Sequence, residues 1–247
     1  MRNFGLIGFP LSHSFSKKFF TAKFKAEGIE SCEYNLYPIE DISYVSDLIK
    51  KNSFLEGLNV TIPYKLDVLS LLNSIDEAAR DIGAVNCIKI TRTGNEVTLK
   101  GYNTDAYGFE ESLKPLLTLA HTKALILGDG GAAKAVKYVL NKLEIPFIVA
   151  SRKASESSIL YDEISDKVID DCKIIINTTP LGMSPEVASY PDLPYAKLST
   201  AHLAYDLVYN PDETAFLNKA RVNGATTKNG LEMLYMQAER SWYLWNK

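Results

Sequence analysis

The sequence predicts an α/β protein made of two domains. Short apolar runs alternate with amphipathic stretches over most of its 247 residues, which is the pattern of βαβ units around largely parallel sheets. Two extended segments on either side of Gly94-Asn95 interrupt this alternation, which starts again at the apolar run Lys123–Leu127 and the glycine-rich loop that follows it. The interruption and the new start indicate a second domain, and the chain is long enough for two.

The first predicted domain contains strands, helices and one hairpin. Its strands are expected at Asn3–Gly8, Glu33–Pro38 and Gly57–Thr61, and its helices at Ser14–Glu27, Asp41–Lys51, Lys65–Asn73 and Ser74–Ile82. The segments Ala84–Thr91 and Glu96–Asn103 alternate in polarity, and Gly94-Asn95 between them tolerates the positive φ of a tight turn. We expect this hairpin to close the first sheet.

The second predicted domain begins with a helix at Thr104–Leu117. Its strands are expected at Lys123–Leu127, Pro146–Ala150, Lys173–Asn177, Ala201–Asp206 and Ala225–Thr227, with a helix at Ala132–Leu143. The tail Gly230–Trp245 has apolar residues at helical spacing, so we expect a helix that packs on the first domain. The first domain would then comprise residues 1–103 completed by 229–247, and the second would comprise residues 104–228.

Composition and charge argue against several classes of function. The 27 Lys and Arg residues against 30 Asp and Glu give a net charge of -3, so the chain lacks the basic field that holds a nucleic-acid backbone. No apolar run approaches the roughly 20 residues that span a bilayer. Cys32, Cys87 and Cys172 show no metal or disulfide spacing, which favours a cytoplasmic protein, and the scattered histidines argue against a catalytic zinc. A small polar ligand is the expected partner.

A dinucleotide-binding fingerprint follows the strand Lys123–Leu127. Its G-x-G-x-x-A spacing lies between an apolar strand and a helix, where a tight turn and close approach of the backbone to a pyrophosphate are needed. The residues that would bind the cofactor are Gly128, Gly130, Gly131, Ala132 and Ala133. An ordinary glycine-rich turn is the alternative. Asp129 is unexpected in such a loop, because its carboxylate would repel pyrophosphate unless the side chain turned outward.

The residues after the next strand bear on the choice of cofactor. An acidic side chain there would bind the ribose 2′-hydroxyl of NAD, but the sequence has Ser151, Arg152 and Lys153. A hydroxyl, a guanidinium and an ammonium group together suit a 2′-phosphate, so we expect NADP to be the cofactor. A solvated basic turn is the alternative.

Polar side chains in the first domain lie where predicted strands end or helices begin. Ser14 and Ser16 come at the start of the first helix, where they could bind a small carboxylate or simply cap the helix. Lys65 follows the third strand and could equally be a surface charge. Asp105 lies in the first turn of a helix, where the helix dipole alone favours an acid. None of these residues is specific by itself.

Taken together and in order, these motifs resemble the shikimate dehydrogenase family over nearly the whole chain. The matching segments are Gly8–Ser16, the N-V-T-x-P-x-K run ending at Lys65, Gly83–Asn86, Gly101–Gly108, Gly128–Ala133, Asn177–Met183, Asp206–Pro211 and Asn229–Gln237. The resemblance implies NADP-dependent, reversible reduction of 3-dehydroshikimate to shikimate in chorismate and aromatic amino-acid biosynthesis. It also implies a mostly parallel-sheet substrate domain, a Rossmann-type NADP domain, and a monomer or homodimer.

The resemblance further implies roles for individual residues. Ser14 and Ser16 would hold the substrate carboxylate, and the ring hydroxyls would be bound by Thr61, Asn86, Asp105 and Gln237, with Tyr209 close to the substrate. Lys65 and Asp105 would be catalytic, because oxidising a secondary alcohol by hydride loss requires a group that takes the hydroxyl proton. Leu207 and Gly230 would line the nicotinamide, and Glu77 would lie near the cofactor.

The sequence departs from the family pattern at several places. Lys17 stands where proline is usual and Cys87 where threonine is usual. The family places a helix and a further strand after Arg152, but the segment before the strand at Lys173 is too short for both, since a parallel crossover needs about a dozen residues. We predict that this helix is missing or reduced to a turn, and that Ser158–Ile164 forms at most a short edge strand.

Two other functions stay open at this point. The chain could be a family relative that acts on quinate with NAD, or a non-catalytic paralogue that binds a cofactor.

Overall fold

The computed structural model, which describes residues 1–11, 14–153 and 157–247, divides into two units. Unit 1 comprises Met1–Tyr107 and Gln237–Lys247, and unit 2 comprises Gly108–Met236. Residues 12 and 13, within the family-like segment Gly8–Ser16, lie outside the described residues. Each boundary falls inside a helix, either α4 (Thr104–Leu113) or α8 (Leu231–Asn246), so each of these helices contributes to both units.

Unit 1 is built on a six-stranded mixed sheet with the strand order β2-β1-β3-β5-β6-β4. Its strands are β1 (Arg2–Gly8), β2 (Cys32–Pro38), β3 (Leu55–Val60), β4 (Ser74–Ile75), β5 (Cys87–Thr93) and β6 (Glu96–Tyr102). Strand β1 runs parallel to β2 and β3, whereas β5 is antiparallel to β3 and β6. The predicted hairpin is confirmed: Thr93 pairs with Glu96, and Gly94 adopts a φ of 61°.

Helices cover both faces of this sheet. They are α1 (Phe15–Ala26), α2 (Tyr44–Lys51), α3 (Glu77–Ile82) and parts of α4 and α8. Side chains of β1 point alternately to the two faces, so that Phe4 packs with Phe20 of α1 and Trp245 of α8, while Ile7 packs with α2 and α3. Trp245 stacks on Phe4 with ring centroids 4.9 Å apart, and its indole N–H donates to the Ile88 carbonyl oxygen at 3.0 Å. The C-terminal helix thus packs on the first sheet, as predicted.

Two expectations for unit 1 are wrong. The segment Lys65–Asn73 is not an α-helix but a turn followed by one 3₁₀ segment at Asp67–Leu71. Its leucines 69, 71 and 72 all pack on the core, and that spacing does not fit one face of an α-helix. Ser74 and Ile75 form β4, which pairs with β6 and lies at the edge of the sheet. The hairpin therefore does not close the sheet, and α3 begins only at Glu77.

Unit 2 is a parallel sheet with the strand order β12-β11-β10-β7-β8-β9. Its strands are β7 (Ala124–Leu127), β8 (Phe147–Ser151), β9 (Ile159–Leu160), β10 (Ile174–Asn177), β11 (Leu203–Asp206) and β12 (Thr226–Lys228). Its further helices are α5 (Gly131–Lys142), α6 (Asp166–Asp171) and α7 (Ala215–Val222), of which α6 and α7 had not been predicted. This is the doubly wound dinucleotide-binding topology, and its strand order reverses between β7 and β10. Within the described ranges, we find no helix with the length and apolar character needed to cross a bilayer.

The region after Arg152 is short, as predicted. Strand β9 pairs with β8 through only two residue pairs, Ala150 with Ile159 and Ser151 with Leu160. Residues 157–164 contain that strand and a 3₁₀ turn at Tyr161–Glu163 but no α-helix, whereas residues 154–156 lie outside the described residues.

Candidate active site

Lys65 and Asp105 form an ion pair in unit 1. Nζ of Lys65 lies 2.6 Å from Oδ2 of Asp105, and the two side chains keep 32% and 22% of their surface exposed. The Lys65 carbonyl oxygen accepts a hydrogen bond from the Val85 amide at 2.8 Å, which fixes the turn that carries the lysine. Asp105 lies in the first turn of α4, where the helix dipole favours a carboxylate. A proton donor and a carboxylate therefore stand together where a ligand can reach them.

Buried amide side chains fix the N-terminus of α4 and thereby the position of Asp105. The Asn103 Oδ1 accepts a hydrogen bond from the Ala106 amide at 3.1 Å. The Asn86 Oδ1 accepts from the Thr104 amide at 2.7 Å, and its Nδ2 donates to the Thr104 hydroxyl at 3.0 Å. Asn86 is only 4% exposed, so this predicted substrate residue also has a structural role.

The two predicted carboxylate-binding serines lie at the start of α1. Ser14 caps the helix, because its Oγ accepts a hydrogen bond from the Lys17 amide at 3.3 Å. A proline at the Lys17 position, as in the family pattern, has no N–H to make this bond. Ser16 lies in the first turn, close to Tyr34: burial raises the pKa of the Tyr34 hydroxyl, and the Ser16 hydroxyl opposes that rise. Ser14 therefore caps the helix, and both serines lie at the positive end of a 12-residue helix, where binding of a carboxylate stays a prediction.

Thr61 and Gln237 complete the predicted substrate residues of unit 1. Thr61 is half-buried just after β3. Gln237 is 7% exposed, and its Oε1 accepts a hydrogen bond from the Thr104 hydroxyl at 3.4 Å. Cys87 is fully buried in the core, and burial raises the pKa of its thiol to about 12. The structure therefore joins Asn86 and Gln237 through Thr104, and it excludes Cys87 from direct contact with a ligand.

The loop after β7 has two kinds of glycine. Gly128 has a φ of 97°, and a Cβ there would lie 2.7 Å from the Thr179 methyl group, so the fold itself requires glycine. A Cβ at Gly130 or Gly131 would meet no atom within 4 Å. The open space beside these two residues, at the N-terminus of α5, suits the close approach of an anionic ligand to the backbone. Ala133 is buried and lets α5 lie close to the sheet.

The carboxylate of Asp129 has a partner in the same unit. It forms an ion pair with Lys137, about two turns along α5, while Ala132 on this helix is exposed. The pair offsets the negative charge that would otherwise repel a pyrophosphate. Sequence reasoning noted the carboxylate but missed Lys137, although a cation two helical turns further on is the signal that could have identified it.

The basic residues predicted to select NADP lie at the end of β8. The Ser151 hydroxyl donates to the Lys153 carbonyl oxygen, and the Lys153 amide lies 3.3 Å from the same hydroxyl. Arg152 and Lys153 are both exposed. The charge of Arg152 lowers the pKa of the Tyr161 hydroxyl, but burial has the larger effect and raises that pKa overall. Two cationic side chains thus stand free of the core at the carboxyl end of a parallel strand.

A buried carboxyl group organises the loops after β10 and β11. Asp206 is fully buried and accepts hydrogen bonds from the Asn177 amide group at 2.9 Å, the Val208 backbone at 3.0 Å and the Thr214 hydroxyl at 2.6 Å. Burial raises the pKa of Asp206 to about 6, and these three hydrogen bonds oppose the rise. The group thereby fixes the chain on both sides of Leu207.

Leu207 and Gly230 lie side by side in unit 2. A Cβ on Gly230 would come within 2.1 Å of the Leu207 carbonyl oxygen, so only glycine fits. The other two predicted ligand residues are exposed: Tyr209 in unit 2 and Glu77, the first residue of α3, in unit 1. The structure brings Leu207 and Gly230 together, and their contact with a nicotinamide stays a prediction.

Comparison with known proteins finds relatives along the whole chain. The family model described as Shikimate dehydrogenase substrate binding domain matches residues 6–88. The Shikimate dehydrogenase (NADP(+)) of Caldanaerobacter subterraneus subsp. tengcongensis is 37% identical, over 98% of this chain and 90% of that protein.

Solved structures agree with this assignment. A chorismate mutase/shikimate 5-dehydrogenase fusion protein from Clostridium acetobutylicum is 37% identical with a TM-score of 0.85, covering 100% of this chain and 91% of that one. Shikimate 5-dehydrogenase from Thermus thermophilus, solved in complex with NADP(H) and shikimate, is 28% identical with a TM-score of 0.84, covering 99% and 93%. Likeness of this extent, on a chain with the Lys65–Asp105 pair and the doubly wound sheet, shows that the protein belongs to the shikimate dehydrogenase family.

Proposed function

We propose that the protein is an NADP-dependent shikimate dehydrogenase, which interconverts 3-dehydroshikimate and shikimate in chorismate and aromatic amino-acid biosynthesis. The observation that carries this proposal is the half-buried ion pair of Lys65 and Asp105, in a chain whose full-length relatives bear that enzyme's name. Unit 1 binds the substrate and unit 2 binds NADP.

Lys65 is the proton donor and acceptor. When the ketone is reduced, its carbon gains a hydride and its oxygen gains a proton, and the Lys65 ammonium group supplies that proton. When shikimate is oxidised, the same nitrogen takes the proton back. Asp105, 2.6 Å from Nζ, hydrogen-bonds with the lysine and orients it toward the reacting oxygen.

The substrate is held by polar residues of unit 1 and by Tyr209. Ser14 and Ser16 bind its carboxylate, supported by the N-terminus of α1. The ring hydroxyls are bound by Thr61, Asn86, Asp105 and Gln237. Asn86 and Gln237 are already held in place by the Thr104 hydroxyl, so little order has to be gained when the substrate binds.

The cofactor, when bound, would supply a hydride as NADPH for the reduction and accept one as NADP for the oxidation. The residues that would hold its pyrophosphate are Gly128, Gly130, Gly131, Ala132 and Ala133, where the open space beside Gly130 and the paired charge of Asp129 suit an anion. Ser151, Arg152 and Lys153 bind the 2′-phosphate, and Leu207 and Gly230 line the nicotinamide. Glu77 lies near the cofactor.

The enzyme works in the cytoplasm as a monomer or homodimer. Its three cysteines are all free and buried, as expected for a protein of a reducing compartment.

The reaction is tested by following NADPH or NADH absorbance with shikimate or quinate as substrate and NADP or NAD as cofactor. We expect the highest kcat/KM for shikimate with NADP. Faster oxidation of quinate with NAD would identify the quinate-specific relative instead. NADP binding without turnover of either substrate would identify a non-catalytic paralogue.

Replacing Lys65 with alanine tests its catalytic role. We expect kcat to fall roughly 10²- to 10⁴-fold, because general acid–base catalysis contributes about that much, while the KM for shikimate changes far less. Lys50→Ala, on the exposed side of α2, serves as the matched control and should keep the wild-type kcat. An unchanged kcat in Lys65→Ala would rule the lysine out as the acid and base.

Replacing Arg152 with alanine tests the choice of cofactor. One charge-assisted hydrogen bond contributes about 1.5–3 kcal/mol, so the KM for NADP should rise roughly 10- to 100-fold. The KM for NAD, which lacks the 2′-phosphate, should stay within about twofold. Equal changes for the two cofactors would refute the role of Arg152.

A further inference from the structure

A chain of hydrogen bonds between buried polar side chains runs through unit 1. The Tyr34 hydroxyl donates to Oδ1 of Asn59 at 2.8 Å, and Nδ2 of Asn59 donates to Oγ of Ser241 at 2.9 Å. Oγ of Ser241 in turn lies 3.2 Å from the Thr104 hydroxyl. All four residues are buried, and Ser241 has no exposed surface. These hydrogen bonds join β2, β3 and α8 to the first residue of α4.

Both ends of this chain reach residues proposed to bind the substrate. At one end, burial raises the pKa of the Tyr34 hydroxyl, and the neighbouring hydroxyl of Ser16 in α1 opposes that rise. At the other end, the Thr104 hydroxyl accepts a hydrogen bond from Nδ2 of Asn86 at 3.0 Å, and its single proton is shared between Oγ of Ser241 at 3.2 Å and Oε1 of Gln237 at 3.4 Å. Three groups proposed to hold the carboxylate and the ring hydroxyls therefore depend on one set of buried bonds.

The surroundings of Ser241 do not explain a polar side chain there by packing alone. Its neighbours on α8, Ala238 and Trp245, belong to the aromatic cluster of unit 1, which also contains Phe4, Phe20 and Phe24. Burying a hydroxyl is unfavourable unless it is hydrogen-bonded, and Ser241 meets this condition by accepting from Asn59 and donating to the Gln237 carbonyl oxygen at 3.0 Å. This second bond is made to the backbone of Gln237, one helical turn away.

We propose that Ser241 is a positioning residue for the substrate. Through Asn59 and Thr104 it holds the side chains of Ser16, Asn86 and Gln237 in their binding arrangement before the substrate arrives. The inference rests on the proposed function, because it assigns those three residues to the substrate. It adds a residue of the C-terminal helix that has no contact with the ligand.

Ser241→Ala removes the hydroxyl with little change in volume. Asn59 Nδ2 then keeps only the Asn86 carbonyl oxygen, at 3.4 Å, and Thr104 loses one of its partners. We expect kcat/KM for shikimate to fall about 10- to 100-fold, since small misplacements of binding groups have effects of that size. The KM for NADP should not change, and the affinity for shikimate measured by calorimetry should fall in parallel.

Ser112→Ala is the matched control. Ser112 is also a buried serine; it hydrogen-bonds with the Tyr205 hydroxyl at 2.7 Å in unit 2 and takes no part in the hydrogen bonds of Ser241. Its loss should lower thermal stability as Ser241→Ala does but leave the KM for shikimate unchanged. A structural role for Ser241 alone would make the two variants behave alike.

Tyr34→Phe tests the same chain from its other end and serves if Ser241→Ala does not fold. If both residues act through Asn59, the double variant should lose less than the product of the two single losses. The proposal is overturned if Ser241→Ala or Tyr34→Phe keeps the wild-type affinity for shikimate, or if the KM for NADP rises as much as that for shikimate. If the wild-type protein neither oxidises nor binds shikimate, the proposed function itself has failed, whatever the variants do.

Discussion

The buried carboxyl group of Asp206 should make the stability of the protein fall as the pH rises from about 4 to about 6. An aspartate in the unfolded chain has its ordinary pKa of 3.8, whereas burial raises the pKa of Asp206 to about 6 in the folded protein. Between these values the folded state keeps a proton that the unfolded state has released. The stabilisation is therefore complete below pH 3.8 and is lost as the pH rises through about 6.

The size of the effect follows from the two pKa values. Each pKa unit corresponds to 1.36 kcal/mol, so a change from 3.8 to about 6 corresponds to about 3 kcal/mol of unfolding free energy. Asp206→Asn removes the titration but keeps the shape of the side chain and an oxygen that can accept from Asn177 and Val208. Any change that the amide itself makes to the unfolding free energy is the same at every pH. The difference in unfolding free energy between the two proteins should nevertheless change by about 3 kcal/mol over this pH range.

Urea unfolding of the cofactor-free protein, followed by circular dichroism between about pH 4 and pH 7, measures that change. Circular dichroism is preferred because both tryptophans, Trp242 and Trp245, lie in unit 1, whereas Asp206 lies in unit 2. Asp206→Asn should gain about 3 kcal/mol relative to wild type across this range. The exposed Asp162→Asn controls for the lost charge. Parallel stability curves for wild type and Asp206→Asn would show that the buried carboxyl group is not what makes the stability depend on pH.

Two further predictions concern the loop after β7 and the C-terminal helix. The free energy of unfolding of Gly130→Ala should stay within about 0.5 kcal/mol of the wild-type value, because the added Cβ meets no atom within 4 Å. The same variant should bind NADP about tenfold more weakly in a fluorescence titration. Gly128→Ala should instead lose about 1–3 kcal/mol of unfolding free energy, because alanine is strained at the positive φ of this position. If Gly130→Ala binds NADP as tightly as wild type, the proposed cofactor site is wrong. Trp245→Phe should lower the free energy of unfolding, measured in urea, by about 1–3 kcal/mol, because the Ile88 carbonyl oxygen loses its N–H donor. If Trp242→Phe lowers it by as much or more, the hydrogen bond of Trp245 is not the cause.

The elements that the sequence predicts well are those with a local cause. The apolar run of β7 and the glycines after it form a strand, a turn and a helix start whatever surrounds them. Strand β4, by contrast, consists of two residues held by β6, which lies more than twenty residues further along the chain. The leucines before β4 are buried by contacts with the sheet and not by a helical period, so pattern reasoning placed a helix there. The residues next to these segments in the sequence therefore indicate neither the edge strand β4 nor the 3₁₀ segment before it.

The candidate site shows the same division. Lys65 and Asp105 are 40 residues apart in the sequence, and each alone is an ordinary surface charge; the family resemblance paired them, and the fold places them 2.6 Å apart. Asp129 was visible as an anomaly, but its pairing with Lys137 depends on how α5 is oriented after the loop. Ser241 had no signal beyond its position four residues after Gln237, because the bonds that give it a role come from distant segments.

Unit 1 consists of two separate segments of the chain, so its residues are not all synthesised before those of unit 2. Its aromatic cluster is completed by Trp245 and its buried bonds by Ser241, both in the final segment Gln237–Lys247. A ribosome therefore delivers all of the continuous unit 2 before it delivers the residues that finish unit 1. Unit 2 can fold while translation continues, whereas the core of unit 1 stays incomplete. Until Trp245 is made, Phe4 and Phe20 lack the ring that packs against them in the folded protein, and exposed apolar surface of this kind favours aggregation.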